Sequence, residues 1–452
     1  MKKSLLLLAL AIFCGSALSA TIDVPPGDGT LSQAITDAQN GDVLRLIPEA
    51  LYTESANSNF GTITGKTITI EADGDGSTKP VIQLLTPADD NTLMFFQLAD
   101  QSTLTLRGLE FNGAQGDIAT VVNFINFTMG DFPSPATIKK IVVDNCIIHD
   151  LKEHVIHAGN TEMASYVLVD STIVNNVIMK NTGTAVYYKY AGANYISVTN
   201  STFDTINSYG MRIAGPGYSN LPDNTPVVII DHTTWYNIGT TDGREIILGE
   251  KGTFLNNWTV SNSIFVKQVL KSKTVINIKE TVSPEIAVIN NICLWDVGAR
   301  VWRDHPVSDT LNVDPGFLDP DNSDFTLPAG SQLLTFGSNG KAIGDPRWAT
   351  NVSAVENNAR NQAAPAQFSL AQNYPNPFNP ATKISFTLDK AGMTELVVYD
   401  LLGHKVAVPV QQVMSAGEHH IVFDAQNLSS GVYVYRLYFA GRSLSNKMMF
   451  IK

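Results

Sequence analysis

Cysteine is nearly missing from this chain: three in 452 residues, one of them, Cys14, in the N-terminal leader. That excludes a disulfide-stapled scaffold. The other two, Cys146 and Cys293, fall at apolar positions of repeated segments too far apart to bridge, so both are expected in the core. Charge is also thin, at 16% of residues, and 30 Lys+Arg against 42 Asp+Glu give a net −12. With no basic run, nucleic acid is excluded as a partner, and an acidic polymer would need a local basic pocket. Past the leader no apolar run is long enough for a transmembrane segment. Gly-x-Ser-x-Gly, His-Glu-x-x-His and P-loop sequences are absent, and no His/Cys cluster has zinc spacing. No cofactor is expected. Two carboxylate-rich loops, Asp73-Gly-Asp-Gly and Asp319-Pro-Asp-Asn-Ser-Asp324, keep calcium open, but neither completes an EF-hand.

The leader itself is a signal peptide by pattern. Lys2 and Lys3 precede the Leu-rich run Ser4 to Phe13, and Gly15-Ser-Ala-Leu-Ser-Ala20 supplies small residues for cleavage. Residues 1–20 are therefore read as a signal peptide and the protein as secreted.

What the chain does have is repetition. Val143-Asp-Asn-Cys-Ile-Ile148, Val169-Asp-Ser-Thr-Ile-Val174, Val198-Thr-Asn-Ser-Thr-Phe203, Ile230-Asp-His-Thr-Thr-Trp235, Val260-Ser-Asn-Ser-Ile-Phe265 and Val288-Ile-Asn-Asn-Ile-Cys293 share one pattern. Their starts lie 26, 29, 32, 30 and 28 residues apart. An irregular period near thirty, with strand-like alternation and polar corners, is what a coiled stack of β-rungs produces. Asn145, Asn200, Asn262 and Asn290 share one slot, filled by Ser171 and His232 elsewhere, as in an asparagine ladder at a tight turn. The inward positions expected from this register include Ile147, Ile173 and Ile264. The alternative is a β-sandwich with accidental spacing.

The reading is a single-stranded right-handed parallel β-helix over 21–348. Thr30 to Ala38, with Leu31, Ala34, Ile35 and Ala38 on one face, reads as a helix capping its open end. Asp314-Pro-Gly-Phe317, Asp324-Phe-Thr-Leu327 and Gly344-Asp-Pro-Arg-Trp348 read as irregular turns closing the far end. Residues 349–366 are polar and aperiodic, a linker. Short alternating strands follow, spaced as in a small Ig-like β-sandwich over 367–452.

Within that last region, Tyr374-Pro-Asn-Pro-Phe-Asn-Pro380, Val398-Tyr-Asp-Leu-Leu-Gly403, Ala416-Gly417…His420, Leu428-Ser-Ser-Gly-Val-Tyr433 and Lys447-Met448 occur in order. The series resembles the C-terminal sorting domain of the type IX secretion system. That likeness implies a Bacteroidetes-like envelope, the secretion machinery as partner, and a product released or attached at the outer-membrane surface.

A candidate site lies mid-coil. Tyr187-Tyr-Lys-Tyr-Ala-Gly192 and Gly210-Met-Arg-Ile-Ala-Gly215 align at their Ala-Gly, placing Lys189 and Arg212 in one slot. Rungs are about 4.8 Å apart, so the two cations would lie side by side. The permanent guanidinium charge disfavours protonation of the lysine, which then serves as a base, while the arginine grips a carboxylate. These are parts for β-elimination of a uronate. The stretch from Lys189 to Gly215 is similar to the catalytic rungs of polysaccharide lyase family 6, alginate lyases and chondroitinase B. That resemblance implies Lys189 as base, Arg212 as acid and an acidic polysaccharide as substrate. Ile213 replaces the family's histidine, and Thr182 and Thr184 stand where it has acidic calcium ligands. His157, Tyr190, Tyr195, Tyr209 and Arg244 are candidate substrate-binding residues. His154, Tyr187, Tyr188, Glu245, Glu250 and Lys251 lie nearby in sequence. The same charges also fit a solvated face, so glycan binding without catalysis, and an adhesive stalk, stay open.

Overall fold

The computed structural model describes residues 19–349 and 368–451 except 86–92, 117, 129, 132–135, 159–164, 190, 215–225, 242, 251–257, 279–286, 299–306, 371–372, 374–377, 389–391, 401–403, 415–416, 427 and 440–441. Residues 1–18 of the leader, and Tyr190, fall outside the described residues. The chain divides into two compact units, 1–350 and 351–452.

The first unit is a parallel β-helix. One apolar column runs through its main sheet in unbroken register: Ile22, Leu44, Ile70, Leu106, Val143, Val174, Val198, Ile230, Val260, Ile289 and Val307. From Leu44 to Ile289 every member is buried, because each rung on its own leaves its inward apolar face uncovered. Past a corner a second inward column continues as Phe111, Ile148, Met179, Phe203, Trp235, Phe265 and Leu294. The Trp235 ring stacks on Phe203 at 3.8 Å and on Phe265 at 6.3 Å between centroids.

The corner is where the sequence-derived register needs correction. Asn145, Asn176, Asn200, His232, Asn262 and Asn291 all have φ between 47° and 56°, a left-handed conformation that asparagine tolerates better than most residues. The ladder thus uses Asn176 rather than Ser171, and Asn291 rather than Asn290. Val169 belongs to a short neighbouring strand, Ser165–Val169, paired with Ile138 and Ala193. At the last segment the slip is a single residue: Ile289 points inward and Val288 is 46% exposed, since one step in a strand reverses the face. Ile147 and Ile173 are accordingly half-buried on the outer face.

Ile264 is fully buried, but in a separate cluster outside the coil, with Cys293, Phe325, Leu327, Leu333 and Ile343. The residues expected to close the far end do something else. After Leu311 the chain turns back across the outside of the main sheet. Gly344 N–H donates to Asn262 O at 2.7 Å, Asp345 N–H to Thr234 Oγ1 at 3.0 Å and Trp348 Nε1 to Thr202 Oγ1 at 2.6 Å. Arg347 Nη2 reaches Asn176 Oδ1 at 2.8 Å, several rungs from the end. The segment is a strap over outward apolar and hydroxyl side chains, not a plug.

The helix Thr30–Asp37 packs Leu31 and Ile35 onto the first rungs, and Lys66 Nζ donates to its terminal carbonyls of Ile35 and Ala38, each at 2.9 Å. Cys146 and Cys293 are both buried free thiols, each pushed up to about 12 by desolvation.

The sheets of the second unit are built from antiparallel strand pairs, with one isolated parallel bridge between Phe378 and Phe450. Strands Ser369–Leu370, Ala381–Leu388 and Gly417–Asp424 form one sheet, and Gly392–Tyr399, Lys405–Met414, Gly431–Phe439 and Arg442–Phe450 the other. Both contribute to one core around Phe386, Leu396, Tyr435 and Phe450.

Candidate functional site

A second parallel sheet of the β-helix runs through Thr62–Ile63, Met94–Leu98, Asn123–Phe127, His154–His157, Thr184–Tyr188, Met211–Ala214, Ile247–Glu250 and Ile276–Ile278. Its inward residues, Phe96, Ile125, Ile156, Val186, Met211, Ile247 and Ile276, are buried and in register. Strand alternation then fixes the outward column next to them: Gln97, Asn126, His157, Tyr187, Arg212, Leu248 and Asn277.

Arg212 pairs with Tyr187 and not with Lys189. The shared Ala-Gly is a misleading anchor, because the paired strands are two residues out of register with that alignment. Lys189 is a half-buried bend residue at the end of its strand, shifted along the rung from Arg212. What the structure places beside Arg212 is aromatic. Its Nη1 donates to Tyr187 Oη at 3.2 Å, and its guanidinium carbon lies 5.5 Å from the Tyr187 ring centroid and 5.1 Å from that of Tyr209. Arg244 reaches Tyr209 at 5.6 Å. Such cation–π contacts fix a flexible arginine in one orientation.

The opposite face of Tyr187 stacks on His154, at 4.3 Å and 5° between ring planes, and His157 follows at 5.5 Å. Burial pushes the His154 imidazole down to about 3, with His157 and Arg212 adding to the effect, and burial pushes His157 down to about 4. Both rings are therefore neutral at pH 7, each able to give or take a hydrogen bond. Further along, Asn277 Nδ2 donates to buried Glu245 Oε1 at 3.2 Å.

The stripe also concentrates unmet hydrogen-bonding capacity. His154 Nδ1, His157 Nδ1, Thr184 Oγ1 and Asn277 Oδ1 are buried without a partner, as are Thr182 Oγ1 and Thr274 Oγ1 beside the sheet. Buried polar atoms are paired with few exceptions, so this concentration sets the second sheet apart from the apolar interior of the coil. Tyr209 is buried. Tyr195 lies in the main sheet, in register with Val227, on a different sheet from Arg212. Among the described residues no group of three or more His, Cys, Asp or Glu side chains is placed to hold a metal ion.

Three family models match the sequence. One is a domain of unknown function, DUF4957, over residues 52–205, and a second, DUF5123, covers 228–348. The third, over 372–452, is the secretion system C-terminal sorting domain. The C-terminal unit is a sorting domain. It makes the chain a cargo of type IX secretion, delivered to the cell surface or the extracellular space, and no helix among the described residues is long and apolar enough to cross a membrane. No curated protein matches the sequence. Among solved structures, the PL6 family alginate lyase AlyGC and a point mutant of it are similar at 18% identity, with TM-scores of 0.38 and 0.43. Each alignment covers 65% of this chain but only 39% and 40% of those chains. Within the sorting domain, Tyr435 Oη accepts from Asn373 N–H at 2.8 Å and Tyr399 and Tyr438 share a hydrogen bond of 3.0 Å.

Proposed function

We propose that the β-helix unit is an exported carbohydrate-active protein, and that the outward stripe of its second sheet cleaves an acidic, uronate-containing polysaccharide by β-elimination. The observation that carries this reading is Arg212, oriented by Tyr187 and Tyr209 on a stripe of neutral imidazoles and unpaired polar atoms. A guanidinium held in this way suits a carboxylate, whose charge must be masked before the neighbouring C5 proton becomes acidic. Lys189 removes that proton, the electron pair forms the C4–C5 double bond, and the C4–oxygen bond breaks. Arg212 supports the carboxylate and serves as the acid toward the departing oxygen. His157, Tyr190, Tyr209 and Arg244 are proposed substrate contacts, whereas Tyr195, on the main sheet, is not placed to join them. Lys189 and Arg212 follow from the resemblance of 189–215 to polysaccharide lyase family 6. A second assignment of the base has its own support: Tyr187 is the register partner of Arg212, and its Oη accepts from Arg212 Nη1 at 3.2 Å.

The test is ultraviolet absorbance of unsaturated products from alginate, polygalacturonate and chondroitin sulfate. Arg212→Ala should lower turnover by a factor of about 10² to 10⁴ at unchanged melting temperature. Lys189→Ala should match it if lysine is the base, and Tyr187→Phe if the phenol is. If the wild type cleaves none of these polymers yet retards in gels containing one, the protein binds glycan without catalysis and the elimination reading fails.

A further inference from the structure

The stripe around Arg212 does not account for a cavity of about 850 Å³ where the late rungs meet the strap. Tyr236, Val266 and Trp295 are register partners on successive rungs and line it, together with Lys267, Asp296, Asp314, Phe317 and Asp321 from rung corners and strap. Two features set it apart from the stripe. Trp295 is 37% exposed, whereas Trp235 and Trp258 are fully buried. The charge sign is reversed as well: three carboxylates, Asp296, Asp314 and Asp321, line the cavity with one ammonium, Lys267, and Lys271 pairs with Asp296 from outside the lining, which leaves one negative charge in excess.

Much of the wall is pre-ordered. Lys267 Nζ donates to Tyr236 Oη at 3.0 Å and lies 3.5 Å from Asp321 Oδ1, and Tyr236 Oη donates to the same carboxylate at 3.3 Å. Phe317, itself part of the lining, and Phe325 pack on Tyr236 at 6.5 and 5.2 Å between centroids. Asp314 Oδ1 accepts from Gly316 N–H at 2.9 Å, which leaves its other oxygen for a ligand. The strap therefore builds one wall of the cavity and the coil the other.

We propose that this cavity binds a neutral polysaccharide, distinct from the acidic polymer assigned to the stripe. An exposed indole offers the flat apolar surface on which a pyranose ring stacks, and carboxylates are strong acceptors for sugar hydroxyls. With Asp296 paired to Lys271 and Asp321 to Lys267, Asp314 carries the excess negative charge, which disfavours a uronate. The carboxylates are also not arranged for a metal, since no group of three or more metal-ligating side chains converges among the described residues. Trp295 and Tyr236 are two rungs apart, roughly 9–10 Å along the coil, so the site runs along the β-helix axis and suits a chain rather than a single sugar. A site of this kind would hold the exported protein on a mixed glycan while the stripe acts on its acidic component.

The experiment is titration of the full chain with hexasaccharides of glucose, mannose and xylose, followed by calorimetry and by tryptophan fluorescence, with a hexauronate as charge control. At least one neutral oligosaccharide should bind and alter the emission of Trp295. Trp295→Ala should abolish that response and weaken binding by about tenfold or more, while Trp295→Phe, which keeps a ring, should restore most of the affinity. Asp314→Asn, which can still accept from Gly316 N–H, should weaken binding severalfold. Arg212→Ala should leave neutral-sugar affinity unchanged, so the outcome is independent of the lyase reading. The proposal is overturned if no neutral hexasaccharide binds more tightly than about 1 mM, if Trp295→Ala binds as the wild type does, or if the hexauronate competes for the same site.

Discussion

Two outward columns of the same coil have been put to opposite uses. On the main sheet Ile178, Thr202, Thr234, Ile264 and Cys293 stand in register, and from Thr202 onward they are buried beneath or bonded to the strap. On the second sheet His157, Tyr187, Arg212 and Asn277 stand in an equivalent column, half-buried or buried, with several polar atoms left unpaired. The backbone is the same parallel ladder in both. Side-chain choice alone makes one flank a second hydrophobic core and the other a polar face, so a defect should cost stability on the first and function on the second.

The largest effect should come from the inside of the coil, which serves both flanks. Val174→Asp places a carboxylate in the inward column, with Val143 and Val198 as neighbours above and below, and no partner within an apolar stack. We expect a loss above about 4 kcal/mol and no folded product. Ile173→Asp, one residue earlier on the outer face, should fold with a loss of about 1 kcal/mol or less. Chemical denaturation of both variants decides the register. A stable Val174→Asp with an unfolded Ile173→Asp would reverse it.

The strap comes next. Phe325 is fully buried between Tyr236, Phe317 and Trp348, so Phe325→Ala should cost about 3–5 kcal/mol. Gly344 has φ 81°, and a Cβ there would meet Ile264 Cδ1 at 2.6 Å and Thr234 Oγ1 at 2.8 Å. Gly344→Ala should therefore lift the strap at a cost of about 1–3 kcal/mol. In both variants neutral-sugar binding should weaken while turnover at Arg212 persists, which calorimetry and the absorbance assay report separately. Loss of turnover in step with stability would show that the two flanks are one unit.

This division also explains what could be read beforehand. Period, alternation and corner asparagines are local, so the coil was legible from segments such as Val198–Phe203 and Val260–Phe265. Register was not legible wherever two adjacent strands carry similar residues, as at Val169 and Val174, because pairing is decided by the rung above rather than by the motif. The strap was invisible for a related reason: Gly344-Asp-Pro-Arg-Trp348 reads as turns, and only contacts such as Arg347 to Asn176, 171 residues back, reveal its path. At the candidate site Arg212 stood out by chemistry, but Tyr187 and His154 did not. A tyrosine or histidine beside an apolar strand looks like core until its rung neighbours are known. Alternation around Val186 would have singled out Tyr187, had the strand boundary been fixed first.

A smaller effect than loss of Phe325 concerns the polar stripe itself, where the imidazoles make stability depend on pH. His154 and His157 are held at about 3 and about 4 when folded, against about 6.5 when unfolded. The unfolded chain thus binds more protons than the folded one between roughly pH 4 and pH 6.5. By linkage, stability from these rings is fully present above about pH 6.5 and is lost as the solution is acidified through that window. Partial solvent access tempers the effect, so we expect their combined contribution between pH 7 and pH 5 to be on the order of 2 kcal/mol. The double variant His154→Asn/His157→Asn should retain that amount when its denaturation midpoints at the two pH values are compared with those of the wild type. Equal acid sensitivity in both proteins would mean that the imidazoles are already hydrated in the folded state. It would also remove the neutral pair from the description of the site and leave Arg212 and its two tyrosines to carry it alone.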